Sequence, residues 1–274
     1  MKVKLLAILL SAITLATAAL PAYADGPNTP PGYKQPTRQL TGQEAARNKQ
    51  KATEADALFR MFNSYREGKA GYAALEKVVQ VFNDHWAKGK PAKETIERLG
   101  QADPNLGLNL VAQETGYWCG PASAYMGLAY KGAWMDPRNP SRSLSQSNLA
   151  TDLGTSQDGT IWANVPGVLN AWANTNWYAN FSAPTSTQVM NDASLDYANS
   201  YPWIYDTHMS SSTGYLTGWS SGDIWHYVAG DGYDNNSQQV HYYDPYSSNP
   251  NAYGNWWIPA STMSGVLQDR GMTW

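Results

Sequence analysis

The chain has 274 residues, a formal net charge of −3, 15% charged residues and one cysteine. A single cysteine excludes an internal disulfide framework. Residues 101–274 hold four Lys/Arg against thirteen Asp/Glu, a balance of 4 − 13 = −9; this excludes nucleic acid as a partner of that region, because phosphate recognition needs a basic stripe.

Met1-Lys2-Val3-Lys4 is a short basic start, followed by an apolar run from Leu5 to Leu20 and by Ala22-Tyr23-Ala24, an A-x-A-like processing site. Residues 1–24 therefore read as a signal peptide cleaved after Ala24. The apolar run is short for a bilayer span, so the expected product is secreted and extracellular, with no stable membrane insertion. Residues 25–40, with Pro27, Pro30, Pro31 and Pro36, read as a linker. From Thr41 the texture changes. Thr41-Gly42-Gln43-Glu44 has the spacing of a capping box, and Ala57, Leu58, Met61 and Phe62 recur at helical intervals before Gly68 and Gly71. A second helix is expected over 72–87, with Leu75, Val78, Val79, Val81 and Phe82 on its apolar face, and a shorter one over 93–99. Residues 41–100 carry eleven Lys/Arg and eight Asp/Glu, 11 − 8 = +3. This segment (41–103) reads as a helical accessory subdomain, or as a pro-segment docked by charge on the acidic remainder.

Residues 104–274 are poor in charge and rich in Trp, Tyr, Asn, Ser and Gly. Helices are expected over 119–130 and 165–173. Strands are expected over 223–233 and 239–243, separated by the turn-forming cluster Asp234-Asn235-Asn236-Ser237. Helices first and strands later point to an α+β fold.

The chemistry centres on Gln113-Glu114-Thr115-Gly116-Tyr117-Trp118-Cys119-Gly120-Pro121. Pro121 belongs in the first turn of a helix, where its missing N–H costs nothing. Cys119 then sits at the helix N-terminus, whose open N–H groups and dipole favour a thiolate. Gly120 leaves room for a substrate carbonyl, and the Gln113 side chain is placed to donate to an oxyanion. Of the four histidines, His85 reads as a surface residue. His226 lies in the first strand, and Asp244 ends the second. A hairpin closed by Asp234, Asn235 and Asn236 would set His226 directly opposite Asp244, within hydrogen-bonding reach, whereas a slip of one residue would send them to opposite faces. His241 points away from Asp244 on this register. His226 with His208 and Asp206 is conceivable as a metal set, but their spacing is not that of ligands.

These residues resemble the papain-like cysteine peptidases, specifically the bacteriocin-processing (double-glycine leader) peptidase branch. The resemblance lies in Gln113 six residues before Cys119, in Cys119-Gly120-Pro121-Ala122-Ser123 followed by Met126 and Leu128, in His226-Tyr227-Val228 and in Asp244-Pro245. It covers roughly residues 108–260. It implies a papain-like fold, with the nucleophile's helix packed on an antiparallel sheet that carries His and Asp. By it, Cys119 is the nucleophile, His226 the general base, Asp244 the orienting carboxylate and Gln113 an oxyanion-hole residue, with no cofactor and with a peptide or protein as substrate, cell-wall peptide included. Trp225 stands where the family often has glycine, which is expected to narrow the cleft. An amidase or acyltransferase would use the same residues. The rival of a different class is a binding module in which the twelve Trp and eighteen Tyr form stacking platforms for sugars.

Overall fold

The computed structural model describes residues 36–102 and 104–274, so the signal-peptide reading of 1–24 and most of the linker lie outside the described residues. The helical segment comprises α1 (Gly42–Arg66), α2 (Tyr72–Trp86) and α3 (Ala92–Leu99). Its start follows from the sequence: Thr41 Oγ1 accepts from Glu44 N (3.2 Å), and Glu44 Oε2 accepts from Thr41 N (2.7 Å), a reciprocal capping box.

The remainder runs α4 (Cys119–Tyr130), β1 (Met135–Asp136), β2 (Asn139–Ser143), α5 (Gln146–Leu153), α6 (Val165–Trp172), β3 (Asn180–Ser182), α7 (Ser186–Asn199), β4 (Trp203–Met209), β5 (Ile224–Asp234), β6 (Gln239–Asp244), β7 (Gly254–Pro259), α8 (Ala260–Val266) and β8 (Gly271–Thr273). Six strands form one antiparallel sheet in the order β3-β8-β4-β5-β6-β7; β1 and β2 pair separately. The long central strand β5 carries helix packing from both α4 and α7. Met126 of α4 meets Ala229 and Tyr243, which are paired across β5 and β6.

The helical segment shares the main core. Leu58, Leu75, Val79 and Phe82 belong to the same apolar cluster as Tyr205, Val228 and Met272 of the sheet. Lys51 of α1 is fully buried: its ammonium donates to the main-chain oxygens of Trp177 (2.7 Å) and Trp274 (2.6 Å) and lies 4.1 Å from the ring centres of both. Burial pushes its pKa down to about 7. The aromatic richness also serves packing. Trp172, Trp177, Trp203 and Trp274 are at most 2% exposed, each burying a large apolar area, so they form no platform for sugars.

Candidate active site

Helix α4 begins at Cys119, with Pro121 in its first turn and no side-chain cap at Trp118. The open N-terminus of a helix favours negative charge on a side chain placed there. Ser123 Oγ donates to Tyr227 O (3.1 Å), which fastens the second turn of α4 to β5 one residue beyond His226. Cys119 itself is 1% exposed.

Gly120 serves a different purpose from the one its sequence context suggests. A Cβ there would lie 2.3 Å from Thr160 Oγ1 and 2.8 Å from Thr160 Cβ. The space kept open beside Cys119 is filled by Thr160, not left for a substrate carbonyl. Thr160 is held in turn: its hydroxyl is 2.8 Å from that of Thr155, and its carbonyl accepts from Tyr227 Oη (3.1 Å). Burial pushes the Tyr227 pKa well above the ordinary phenol value, so this hydroxyl stays a donor.

His226 and Asp244 come together as expected, by a different register. The last pair of the β5–β6 hairpin is Asp234↔Gln239, so the loop is the four residues 235–238 rather than Asp234 to Asn236. Extending that register without interruption would set Asp244 against Ala229, on the face away from His226. A bulge at Asp231, between the pairs Gly232↔His241 and Gly230↔Tyr242, takes up one residue of β5. Continued past Ala229↔Tyr243, the register then brings Asp244 against Val228, on the face of His226 and diagonal to it. His226 Nε2 lies 2.9 Å from Asp244 Oδ1, and both side chains are 0% exposed.

Three donors converge on the Asp244 carboxylate. Besides His226, Trp219 Nε1 reaches Oδ2 (2.9 Å) and Tyr246 N reaches Oδ1 (2.9 Å). Burial alone would raise its pKa, but the His226 charge and these hydrogen bonds outweigh it and hold the group below the usual carboxylate range. The Trp219 ring stacks on Tyr246 (5.3 Å) and tilts against His226 (5.4 Å), walling off the pair.

Gln113 is 8% exposed and is tied to the same end of the sheet, its main-chain N–H donating to Pro245 O (2.9 Å). Its Nε2 donates to Thr115 O (2.7 Å) in the loop that leads to Cys119 and carries a second N–H. Gln146 clamps this loop from the other side. Its Nε2 donates to Ala112 O (2.8 Å), and its Oε1 accepts from Glu114 N (3.0 Å). Sequence reasoning missed Gln146, Thr160 and Trp219: each is one of many residues of its type, and nothing local marks it.

The other histidines lie apart from this pair. Thr207 pairs with His226 across β4 and β5, so Asp206 and His208 point to the opposite face and cannot join His226 around a metal. His208 reaches Asp269 Oδ2 (2.7 Å) and Asp223 and stacks on Trp225 at 3.9 Å. The Arg270 guanidinium lies 4.9 Å from the other partner ring of that stack, so Trp225 is wedged between His208 and Arg270 and is 8% exposed. His241 meets Asp231, and His85 pairs with Glu54 at the surface.

A cysteine heading a helix that packs on an antiparallel sheet, with a buried His–Asp pair on two adjacent strands of that sheet, is the arrangement of a papain-like cysteine peptidase. Residues 105–268 match the Peptidase_C39 like family, and the chain belongs to that family; it is a cysteine peptidase acting on peptide or protein substrates. The match leaves α1–α3 outside it. Solved structures similar to this chain include xylellain, a cysteine protease from Xylella fastidiosa, at 11% identity over 65% of this chain and 87% of that one, with a TM-score of 0.46. A double glycine motif protease from an AMS/PCAT transporter, in complex with the leader peptide, is similar at 18% identity over 63% and 96%, TM-score 0.39. Digestive procathepsin L 3 of Tenebrio molitor larval midgut is similar at 11% identity over 86% and 93%, TM-score 0.42. No curated protein matches the chain.

Proposed function

We propose that the chain is an exported peptidase that hydrolyses peptide bonds through a thioester on Cys119, with His226 as base and acid, Asp244 orienting it and Gln113 donating to the oxyanion. The observation that carries this reading is the fully buried His226–Asp244 hydrogen bond on the strand against which the Cys119 helix packs. With Nε2 donating to Asp244, proton exchange with the thiol runs through Nδ1. His226 takes the thiol proton, and Sγ attacks the peptide carbonyl carbon as the π electrons move to oxygen. The Cys119 N–H and Gln113 Nε2 receive the oxyanion. Collapse breaks the C–N bond, and the leaving amine takes the proton from His226. Water, deprotonated by His226, then attacks the thioester and releases the acid and the thiol. Asp244, charged at neutral pH, stabilises the imidazolium of each step.

Export is supported by the basic start, the apolar run and Ala22-Tyr23-Ala24. Segment α1–α3 is read as a permanent subdomain, supported by the burial of Lys51 against Trp177 and Trp274; active secreted protein should begin near Asp25, and an active form starting beyond Leu99 would return the segment to a pro-segment.

The test uses iodoacetamide, small enough for a cysteine this enclosed, across about pH 4 to 9 on wild type, Cys119→Ala, His226→Ala and Asp244→Asn, with labelling read by mass spectrometry. Labelling of Cys119 should be fast well below the ordinary thiol pKa of about 8.5 and should slow on loss of His226. Slow labelling that rises only near pH 8.5, and is indifferent to His226→Ala, refutes the reading.

A further inference from the structure

The bulge residue Asp231 is fully buried and carries more than its place in the strand requires. Its Oδ2 accepts from the main-chain N–H groups of Gly107 (2.9 Å) and Leu108 (3.1 Å), and its Oδ1 lies 2.6 Å from His241 Nδ1. Its own carbonyl accepts from Leu106 N (2.9 Å), and the neighbouring Gly232 forms a bridge with Asn105. Asp231 thus fastens three consecutive positions, 106–108, and Gly232 the one before them, in the segment that leads toward Cys119.

That segment is a strap with two ends. Beyond the Asp231 anchor, Leu108, Leu110 and Val111 pack with Met126, Ala229 and Tyr243. At the far end Gln113 N donates to Pro245 O, beside Asp244, and Gln146 holds Ala112 and Glu114 on either side of it. A strap of this kind has no secondary structure of its own to set its position. Where Gln113 comes to lie is therefore decided by its anchors.

We propose that Asp231 is a positioning residue of this peptidase: its carboxylate fixes the 105–113 strap and so places Gln113 as oxyanion donor. This rests on the role given to Gln113 above. Charge-assisted hydrogen bonds to main-chain N–H groups are strong and directional, and a buried carboxylate with several such donors is costly to replace. Asp231 sits in the bulge that keeps Asp244 on the face of His226; the bulge is a main-chain feature, which a carboxamide in place of the carboxylate leaves standing.

Two probes separate the parts. Iodoacetamide reports the thiolate and its histidine and forms no oxyanion. A peptide aldehyde, acetyl-glycyl-glycinal, adds the thiol across its carbonyl to give a hemithioacetal whose oxygen occupies the oxyanion position. Asp231→Asn should leave the rate and pH profile of iodoacetamide labelling within about twofold of wild type, while aldehyde affinity falls between about tenfold and a hundredfold, the scale of a misplaced donor. In a Gln113→Ala background the same substitution should cost less than about twofold, because the two act through one group. Gly232→Ala gives the second route: its Cβ would lie 2.7 Å from Asn105 Cβ, 3.0 Å from Pro104 O and 3.0 Å from His241 Cβ, pressing on the strap while the Asp231 carboxylate is retained, and should reproduce the selective loss where Asp231→Asn fails to fold. Equal losses with both probes, full additivity with Gln113→Ala, or no loss in a folded variant would overturn the proposal. Wild-type protein that labels readily but does not capture the aldehyde overturns it too, since there is then no oxyanion site to position. Failure of the triad itself shows separately, as an ordinary thiol profile in wild type.

Discussion

Gly120→Ala offers the sharpest check on the packing beside Cys119. Gly120 lies in α4 and is not among the glycines with positive φ, so alanine is conformationally allowed there. On helix propensity alone the substitution would stabilise by up to about 1 kcal/mol. Against that, the new methyl meets three atoms of one residue: Thr160 Oγ1 at 2.3 Å, Cβ at 2.8 Å and Cγ2 at 3.1 Å. Thr160 cannot simply rotate away. Its β-branched side chain is stiff at χ1, its hydroxyl is engaged by Thr155 and its carbonyl by Tyr227. Overpacking of this kind costs about 1–3 kcal/mol, and loss of the Thr155 hydrogen bond adds about 1 kcal/mol. Destabilisation should win by about 1–3 kcal/mol, seen as a lower urea midpoint at unchanged slope and a melting temperature lower by roughly 2–10 °C. Thr160→Gly removes all three clashing atoms, so the double variant should be more stable than the sum of the single effects. A Gly120→Ala protein within about 0.5 kcal/mol of wild type, or strict additivity in the double variant, would refute the reasoning.

The remaining predictions concern the polar anchors. Trp219→Phe keeps an aromatic wall but removes the indole donor to Asp244; it should destabilise by about 1.5–3 kcal/mol in urea unfolding, the value of a hydrogen bond to a charged group, and raise the Asp244 pKa. Because that pKa is depressed in the folded protein, Asp244 adds stability that is fully present above the unfolded carboxylate value of about 3.9 and is lost as pH falls through the folded value. Asp244→Asn should therefore flatten the acid limb of stability against pH below about 4, and an unchanged limb would show that other carboxylates govern it. Lys51→Met removes the ammonium donor from the carbonyls of Trp177 and Trp274, of which the second keeps Ala179 N; it should cost about 1–3 kcal/mol in chemical unfolding, the penalty of a buried acceptor left unpaired, and open α1 to limited proteolysis first.

Helices α1, α2 and α4 were legible because they carry local signals. The Thr41–Glu44 box opens α1, the apolar face of α2 has helical spacing, and Pro121 fixes where α4 begins. Helices α5 and α7 were not expected. Both are rich in Ser, Thr, Asn and Asp, which compete with the helical backbone for hydrogen bonds; tertiary burial stabilises them, with Val189, Ala193 and Leu195 of α7 fully inside. Its capping box, Thr185 with Gln188, was a readable signal. Strand β4 was missed because it is buried along nearly its whole length and so lacks the alternation of a half-exposed strand.

The site divides along the same line. Cys119, Gln113, His226 and Asp244 stand out by residue type and setting, whereas Thr160, Gln146 and Trp219 reach them only through the fold. The His226–Asp244 pairing shows why register is the hardest quantity to read. The hairpin turn falls further along than the Asp234–Asn236 loop supposed, which by itself would put the two side chains on opposite faces, and the bulge at Asp231 then removes one residue from the count. The two displacements together restore the parity, so the right pair follows from the wrong register. Nothing local to Asp231 marks it as a bulge; the N–H groups that its carboxylate accepts from, those of Gly107 and Leu108, lie more than a hundred residues earlier.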